Sequence, residues 1–330
     1  MGFGGYSYEA HRAITEARRD LPVQAVFKQR EVHPLMRPHG VRVREARDSG
    51  GHPRSLAIVM ALDVTGSMGE IPERLAKEEL PGLIRLLNEH GVDDPQVLFM
   101  AIGDAFHDRA PLQIGQFEST AELMDQWLTW TWLEGQGGAF GNESYELALY
   151  FAARHLELDC LEKRDQRGYL FLTGDEKPYP ALSRSAVRSV LGDELEDDLP
   201  LSVVVDEASR VVEPFFLIPD LERRAQCEHA WRDLLGDRVI CMESPADTTA
   251  CIAGIVAMSE GAIADVDAFA RKLGERGVPR ERIGAAVRAL TPWAATIGKD
   301  GAPLPALDER ASLPTGHETS SGHRRVHPPR

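Results

Sequence analysis

The sequence predicts an α/β fold: a doubly wound, mostly parallel central sheet with helices on both faces and one antiparallel edge strand. Three observations carry this expectation. Leu56–Leu62, Val97–Ile102 and Tyr169–Leu172 are almost wholly apolar runs of strand length, which is how strands buried on both faces of a parallel sheet read. Segments with helical apolar spacing separate such runs across residues 56–259, and this alternation calls for parallel strands joined by crossovers. Leu112–Phe117 is the exception, because the Asp108–Pro111 connection before it is too short for a helical crossover, so its pairing should be antiparallel.

Residues 1–55 read as a basic N-terminal arm that packs on the main domain. Tyr8–Arg19 has helical spacing, while Val23–Phe27 and Val41–Val43 read as extended pieces with Pro34, Pro38 and Gly40 breaking the chain between them. Val23, Val26, Phe27, Val41 and Val43 are too few to build a core of their own and too apolar to leave in water. The arm's arginines, Arg12 to Arg54, are expected in solvent or paired with nearby acids; the alternative is docking on an acidic partner.

Within residues 56–259 the elements follow in order. Pro72 suits an early helical position, and Leu75 to Leu87 continue in helical spacing with Pro81 as a kink or break and Gly91 as the stop. Val97–Gly103 and Leu112–Phe117 are strands, and Ala121–Trp132 is an amphipathic helix whose Trp127 and Trp130 share a face that core packing explains. A glycine-rich loop, Gly135–Ser144, opens a helix over Tyr145–His155, and Tyr169–Thr173 is a strand ended by Gly174–Asp175–Glu176. Helices are expected around Leu182–Leu191, Leu221–Leu235 and Thr248–Met258. Strands are expected at Val211–Ile218, with Pro214 its awkward feature, and at Arg238–Met242. Residues 260–291 form a helical extension, Val266–Arg276 and Arg280–Leu290, and residues 292–330 read as a disordered tail rich in Pro, Gly, Ser and His.

Composition narrows the function classes. The chain has 330 residues, 43% of them hydrophobic, enough for a full core. A formal charge of −15 argues against nucleic-acid binding, which needs phosphate-neutralising Lys and Arg. No apolar run approaches the ~20 residues of a membrane span, and Met1–Tyr8 lacks the basic start and apolar centre of a signal peptide. Cys160, Cys227, Cys241 and Cys251 form no C-x-x-C pair and no zinc spacing, so reduced core thiols and a cytoplasmic location are expected.

The first apolar run ends in Asp63–Val–Thr65–Gly–Ser67–Met68. One carboxylate and two hydroxyls are thus gathered in a loop at the carboxyl end of a central strand, the edge where open α/β sheets bind ligands. Oxygen donors alone suit a hard divalent ion, Mg2+ first, with Mn2+ or Ca2+ as alternatives. Thr65 or Ser67 capping the following helix would also explain the hydroxyls, although capping would not need Asp63.

The Asp63-x-Thr65-x-Ser67 pattern, with Ile-Val-Met-Ala-Leu before it and Gly-Ser-Met-Gly after it, resembles the metal-ion-dependent adhesion site (MIDAS) of von Willebrand factor A (VWA) domains. That resemblance implies a VWA/Rossmann-like sheet and a metal that captures an acidic residue of a protein partner. It also implies ligands from two further loops. Asp175, in Thr173–Gly174–Asp175, stands one residue later than the family's usual Thr-Asp pair. The middle loop offers Asn142, Glu143 and Ser144 where the family usually has a Thr, and Glu143 either ligates the ion or caps its helix. Asp104 is a weaker candidate for an outer role, and His107 is expected in solvent. The function implied is an intracellular adaptor or assembly factor without enzymatic activity, working beside an AAA+ ATPase by family analogy alone. The alternative is a Mg-dependent phosphotransferase or phosphatase resembling the haloacid dehalogenases, with Asp63 as nucleophile. Thr65, however, occupies the position of their general acid and cannot serve at neutral pH.

Overall fold

Six strands form the central sheet of the computed structural model, which describes residues 6–68, 71–74, 77, 80–134 and 141–297. They are β1 (Leu56–Asp63), β2 (Pro95–Ile102), β3 (Leu112–Ile114), β4 (Gly168–Thr173), β5 (Val212–Ile218) and β6 (Val239–Cys241). The spatial order is β6-β5-β4-β1-β2-β3, and only β3 is antiparallel to its neighbour. The architecture is therefore a doubly wound α/β sheet with an antiparallel edge, and the strand order reverses between β1 and β4.

The alternation of side chains along β1 explains its unbroken apolar run. Ile58, Met60 and Leu62 join one core layer, while Ala57, Val59 and Ala61 join the other. The first layer is covered by α1 (Tyr8–Arg18), α2 (Leu80–Glu89), α3 (Ala121–Thr129), α9 (Thr248–Ser259), α10 (Val266–Glu275) and α11 (Arg280–Ala294). The second is covered by α4 (Tyr145–Arg154), α5 (Asp159–Arg164), α6 (Arg184–Val190), α7 (Leu201–Ala208) and α8 (Arg224–Leu235). The sequence reading did not anticipate α5 or α7.

The N-terminal segment lies on this body. Val26 and Phe27 are buried in the first layer, Arg18 pairs with Asp125 of α3, and Arg44–Ala46 forms a short parallel ladder with Leu156–Leu158. Arg47 meets Glu45, Glu157, Asp159 and Glu162 at the end of that ladder.

Several local expectations are corrected. Val23–Val26 is one helical turn, not an extended piece, because Pro22 presets its start and Phe27 N–H closes on the Val23 carbonyl. The extended segment expected at Val41–Val43 falls at Arg44–Ala46. Trp127 packs against the first layer, but Trp130 stacks on His33. The segment read as a tail from residue 292 begins inside α11, whose Trp293 is buried edge-on against Phe215. Leu75 and the glycine-rich stretch 135–140, like residues 298–330, lie outside the described residues.

The sheet's margins are short. Pro214 lacks an N–H, yet β6 pairs only with Phe216–Ile218, so the ladder on that side begins beyond it. At the opposite margin the Gln113 side chain donates to the Trp132 carbonyl and accepts from the Trp132 N–H, both at 2.9 Å.

Gly254 of α9 sets how closely the C-terminal helices approach. A Cβ there would lie 2.8 Å from a Leu290 methyl and 2.9 Å from the Phe269 ring, both wholly buried. Gly254→Val should therefore destabilise by roughly 2 kcal/mol through overpacking. Urea denaturation would show this as a lower midpoint with an unchanged slope.

Candidate metal centre

The carboxyl ends of β1, β2, β4 and β5 are level. Asp63 is in register with Ile102, Leu62 with Thr173, and Thr173 with Leu217. The residues that follow these strands therefore gather at one sheet edge. In the middle of it, where the order reverses, Asp63 is wholly buried.

Three donors fix its carboxylate. Thr65 N–H and Thr65 Oγ1 donate to Oδ1 at 2.9 and 2.6 Å, and the Tyr145 hydroxyl donates to Oδ2 at 2.8 Å. Burial pushes the Asp63 pKa up to about 7; the Thr65 and Tyr145 donors partly oppose this, and the charge of Asp175 adds to it. Thr65 thus positions the carboxylate. Ser67 lies in the single 3-10 turn Gly66–Met68, with its side chain outside the described atoms.

Tyr145 opens α4 directly after the middle loop, and its ring stands edge-on to Phe216 and Trp231. Gly174 makes this placement feasible. A Cβ there would fall 1.9 Å from the Tyr145 hydroxyl oxygen, so the glycine between Thr173 and Asp175 is the space through which Tyr145 reaches Asp63.

Of the two alternatives entertained for the middle loop, the structure removes one, helix capping by Glu143. Asn142 and Glu143 pair in parallel with Lys177 and Pro178, and the Asn142 amide donates to the carbonyls of Pro178 and Lys177 at 3.0 and 3.4 Å. Asn142 therefore ties the loop to the segment after β4. Glu143 does not cap α4: Ser144 holds the cap position, and its Oγ accepts from Ala105 N–H at 2.9 Å instead. The Glu143 carboxylate is wholly buried, and neither oxygen has a hydrogen-bond partner among the described residues. Its pKa is pushed up to about 9, by burial first and then by the charges of Asp63, Asp108, Asp104 and Glu176. Glu146, the second residue of α4, is pushed up to about 8 by burial.

Asp175 is buried and ion-paired with Arg223, whose Nε also bonds Asp220 at 2.8 Å. Asp104 is buried too, pairs with His107 and accepts from the Tyr179 hydroxyl at 3.1 Å. His107 is exposed in a turn, as expected, and from there its ring pairs with the buried Asp104 carboxylate. The roles of Tyr145 and Arg223 were not foreseen. Arg223 could have been found by applying to β5 the strand-end reasoning used for β1 and β4, whereas nothing in the sequence marks Tyr145.

The donors suit a hard divalent ion. Asp63, Thr65 and Glu143 offer only oxygen, and the two Glu143 oxygens, buried without hydrogen bonds among other acids, hold a proton that a cation could replace. Among the described residues no three His, Cys, Asp or Glu side chains are grouped closely enough to hold an ion, and Asp175 faces a guanidinium.

No family model matches the chain, and no curated protein does. Similar solved structures include proximal thread matrix protein 1 from the mussel byssus with a zinc-occupied MIDAS motif, at TM-score 0.40 and 9% identity, covering 64% of this chain and 50% of that one. Another is the pilus adhesin SpaC from Lactobacillus rhamnosus GG in its open conformation, at 0.41 and 11%, covering 68% and 31%. A third is the ArnB paralog VWA2 from Sulfolobus acidocaldarius, at 0.30 and 11%, covering 60% and 44%. The chain spans half or less of the length of each. Likeness at this level carries no functional argument, and the fold class stands on the strand order and register described above.

Two outcomes follow from the site's geometry. Gly174→Ala should cost ~3 kcal/mol or more, or prevent folding, because the methyl and the Tyr145 hydroxyl cannot share one space; chemical denaturation measures it. The upward shifts of Asp63 to about 7 and Glu143 to about 9 mean that the folded state keeps protons the unfolded state has released. Without added metal, stability should therefore fall by ~2 kcal/mol or more between about pH 5 and about pH 9. Glu143→Gln should flatten the upper part of that curve.

Proposed function

We propose that the sheet edge between β1 and β4 is a hard-metal site, for Mg2+ in the first place, through which the protein captures an acidic side chain of a protein partner. The observation that carries this reading is Glu143, a wholly buried carboxylate with neither oxygen hydrogen-bonded, beside the fixed carboxylate of Asp63. Buried charge without a partner is costly unless a cation or proton answers it. Asp63, Thr65, Ser67, Asp175 and Glu143 are the residues that would hold the ion. Such an ion supplies a positive centre that gains an oxygen ligand when a water leaves.

Two exposed apolar side chains support a binding role at this edge. Phe106 follows β2 and Leu221 follows β5, on loops either side of the β1–β4 centre. Three strand spacings separate those loops, about 14 Å, a span suited to one segment of a partner. The VWA resemblance suggests an intracellular, non-enzymatic adaptor beside an AAA+ ATPase, and that role belongs to the same proposal. No helix among the described residues is long and apolar enough to cross a membrane.

A ligand that binds only the folded state stabilises it by about 2.7 kcal/mol at a hundredfold excess over its Kd. Millimolar Mg2+ should therefore raise the melting temperature of the wild type. The rise should vanish in Asp63→Ala and shrink in Glu143→Gln. Melting indifferent to Mg2+, Mn2+ and Ca2+ would sink the proposal. Hydrolysis of an aryl phosphate, abolished in Asp63→Asn, would replace it with the phosphotransferase reading.

A further inference from the structure

Resting on the metal reading above, we infer that Arg223 is a built-in competitor for the metal: a guanidinium latch that occupies Asp175 and must release it before Asp175 can serve an ion. Arg223 ends the loop that follows β5 and stands at the start of α8. The Asp220 carboxylate folds that loop, accepting from Glu222 N–H at 3.0 Å and Arg223 N–H at 3.1 Å through Oδ1. Its other oxygen takes Arg223 Nε at 2.8 Å, which aims the rest of the guanidinium at Asp175. Asp175 is buried, whereas the Arg223 side chain keeps a quarter of its surface in solvent. The planar fork thus spans two carboxylates from the open side of the site, the arrangement for which Arg rather than Lys is suited.

Charge distribution at the edge gives the latch its meaning. Asp63 takes its hydrogen bonds from Thr65 and Tyr145, neither of them a cation, and the Glu143 oxygens have none among the described residues. Asp175 alone of the three is answered by a fixed cation. A divalent ion at Asp63 and Arg223 at Asp175 would therefore bring two positive centres against the same acids. They compete, and the one with the greater combined hold on Asp175 wins. Because the latch is anchored by Asp220 and reached from solvent, it can swing outward without disturbing β4 or β5. Metal affinity in this protein is then set by an internal side chain as much as by the ligands.

The test is a titration of the full-length protein with Mn2+, following free Mn2+ by its paramagnetic resonance signal. Arg223→Gln keeps length and polarity but removes the charge, and should bind Mn2+ roughly tenfold more tightly than wild type, about the worth of one charge-assisted hydrogen bond. Arg223→Lys should fall between the two, since an ammonium cannot bridge both carboxylates. In Asp175→Asn the gain from Arg223→Gln should disappear, which ties the effect to this pair. Far-UV circular dichroism of each metal-free variant confirms that it is folded, and Arg223→Lys carries the test if Arg223→Gln is not. Binding by the wild type with equal or weaker binding by Arg223→Gln would overturn the latch and leave the metal site standing. A gain that persists in Asp175→Asn would also overturn it. Absence of Mn2+ binding in wild type and both Arg223 variants would remove the metal site and the latch together.

Discussion

The structure around the sheet edge depends on burying one carboxylate at the point where the strand order reverses. Asp63 ends a strand that is apolar on both sides, so its side chain leaves the sheet with no water to receive it. Everything close to it answers that constraint. The chain turns so that Thr65 can donate twice, and α4 begins where Tyr145 can reach the other oxygen. The loop after β4 carries Gly174, where a side chain would exclude the phenol. Neutral donors satisfy its hydrogen bonding without supplying positive charge.

That rigidity comes from the second core layer. Tyr145 packs edge-on to Phe216 and Trp231, and the Trp231 indole N–H donates to the Glu176 carbonyl at 3.1 Å. The aromatic packing therefore connects β5, α8 and the loop after β4 to the residue that holds Asp63. Arg223 lies at the start of the same helix as Trp231, so the latch and the prop of the site move on one element. The acids at the margin, Asp104 with His107 and Tyr179, are satisfied independently and contribute mainly their charge.

Much of this was legible in the sequence because parallel sheets impose a strong pattern. Runs such as Leu56–Leu62 have few alternative homes, and an acid, a hydroxyl and a glycine at the end of such a run announce a loop at the ligand-binding edge. Pro81 is the second residue of α2, where a missing N–H is harmless. The failures share a different cause. Helix α5 is six residues long and α7 eight, too short for periodicity to separate them from loop. Val23–Phe27 has strand-like composition but is held in a helical turn by burial of Val26 and Phe27 against the sheet domain. Tyr145 and Arg223 meet Asp63 and Asp175 across 82 and 48 residues of chain. Contacts that distant leave no spacing to read.

The sheet's two margins carry a consequence for how this protein can associate. β3 and β6 have three residues each; beside β3 the Gln113 amide pairs with Trp132 as a neighbouring strand would, and β6 is packed by α11, with Pro214 in the strand next to it. Short, covered or proline-bearing margins give an incoming chain no run of free backbone amides on which to build. Among the described residues, then, the central sheet is a poor template for fibre growth and for recruiting a partner by β-augmentation. What the carboxyl edge of the sheet presents to its surroundings is side chains on loops, Phe106 and Leu221 among them, which can be exchanged without any change to the scaffold.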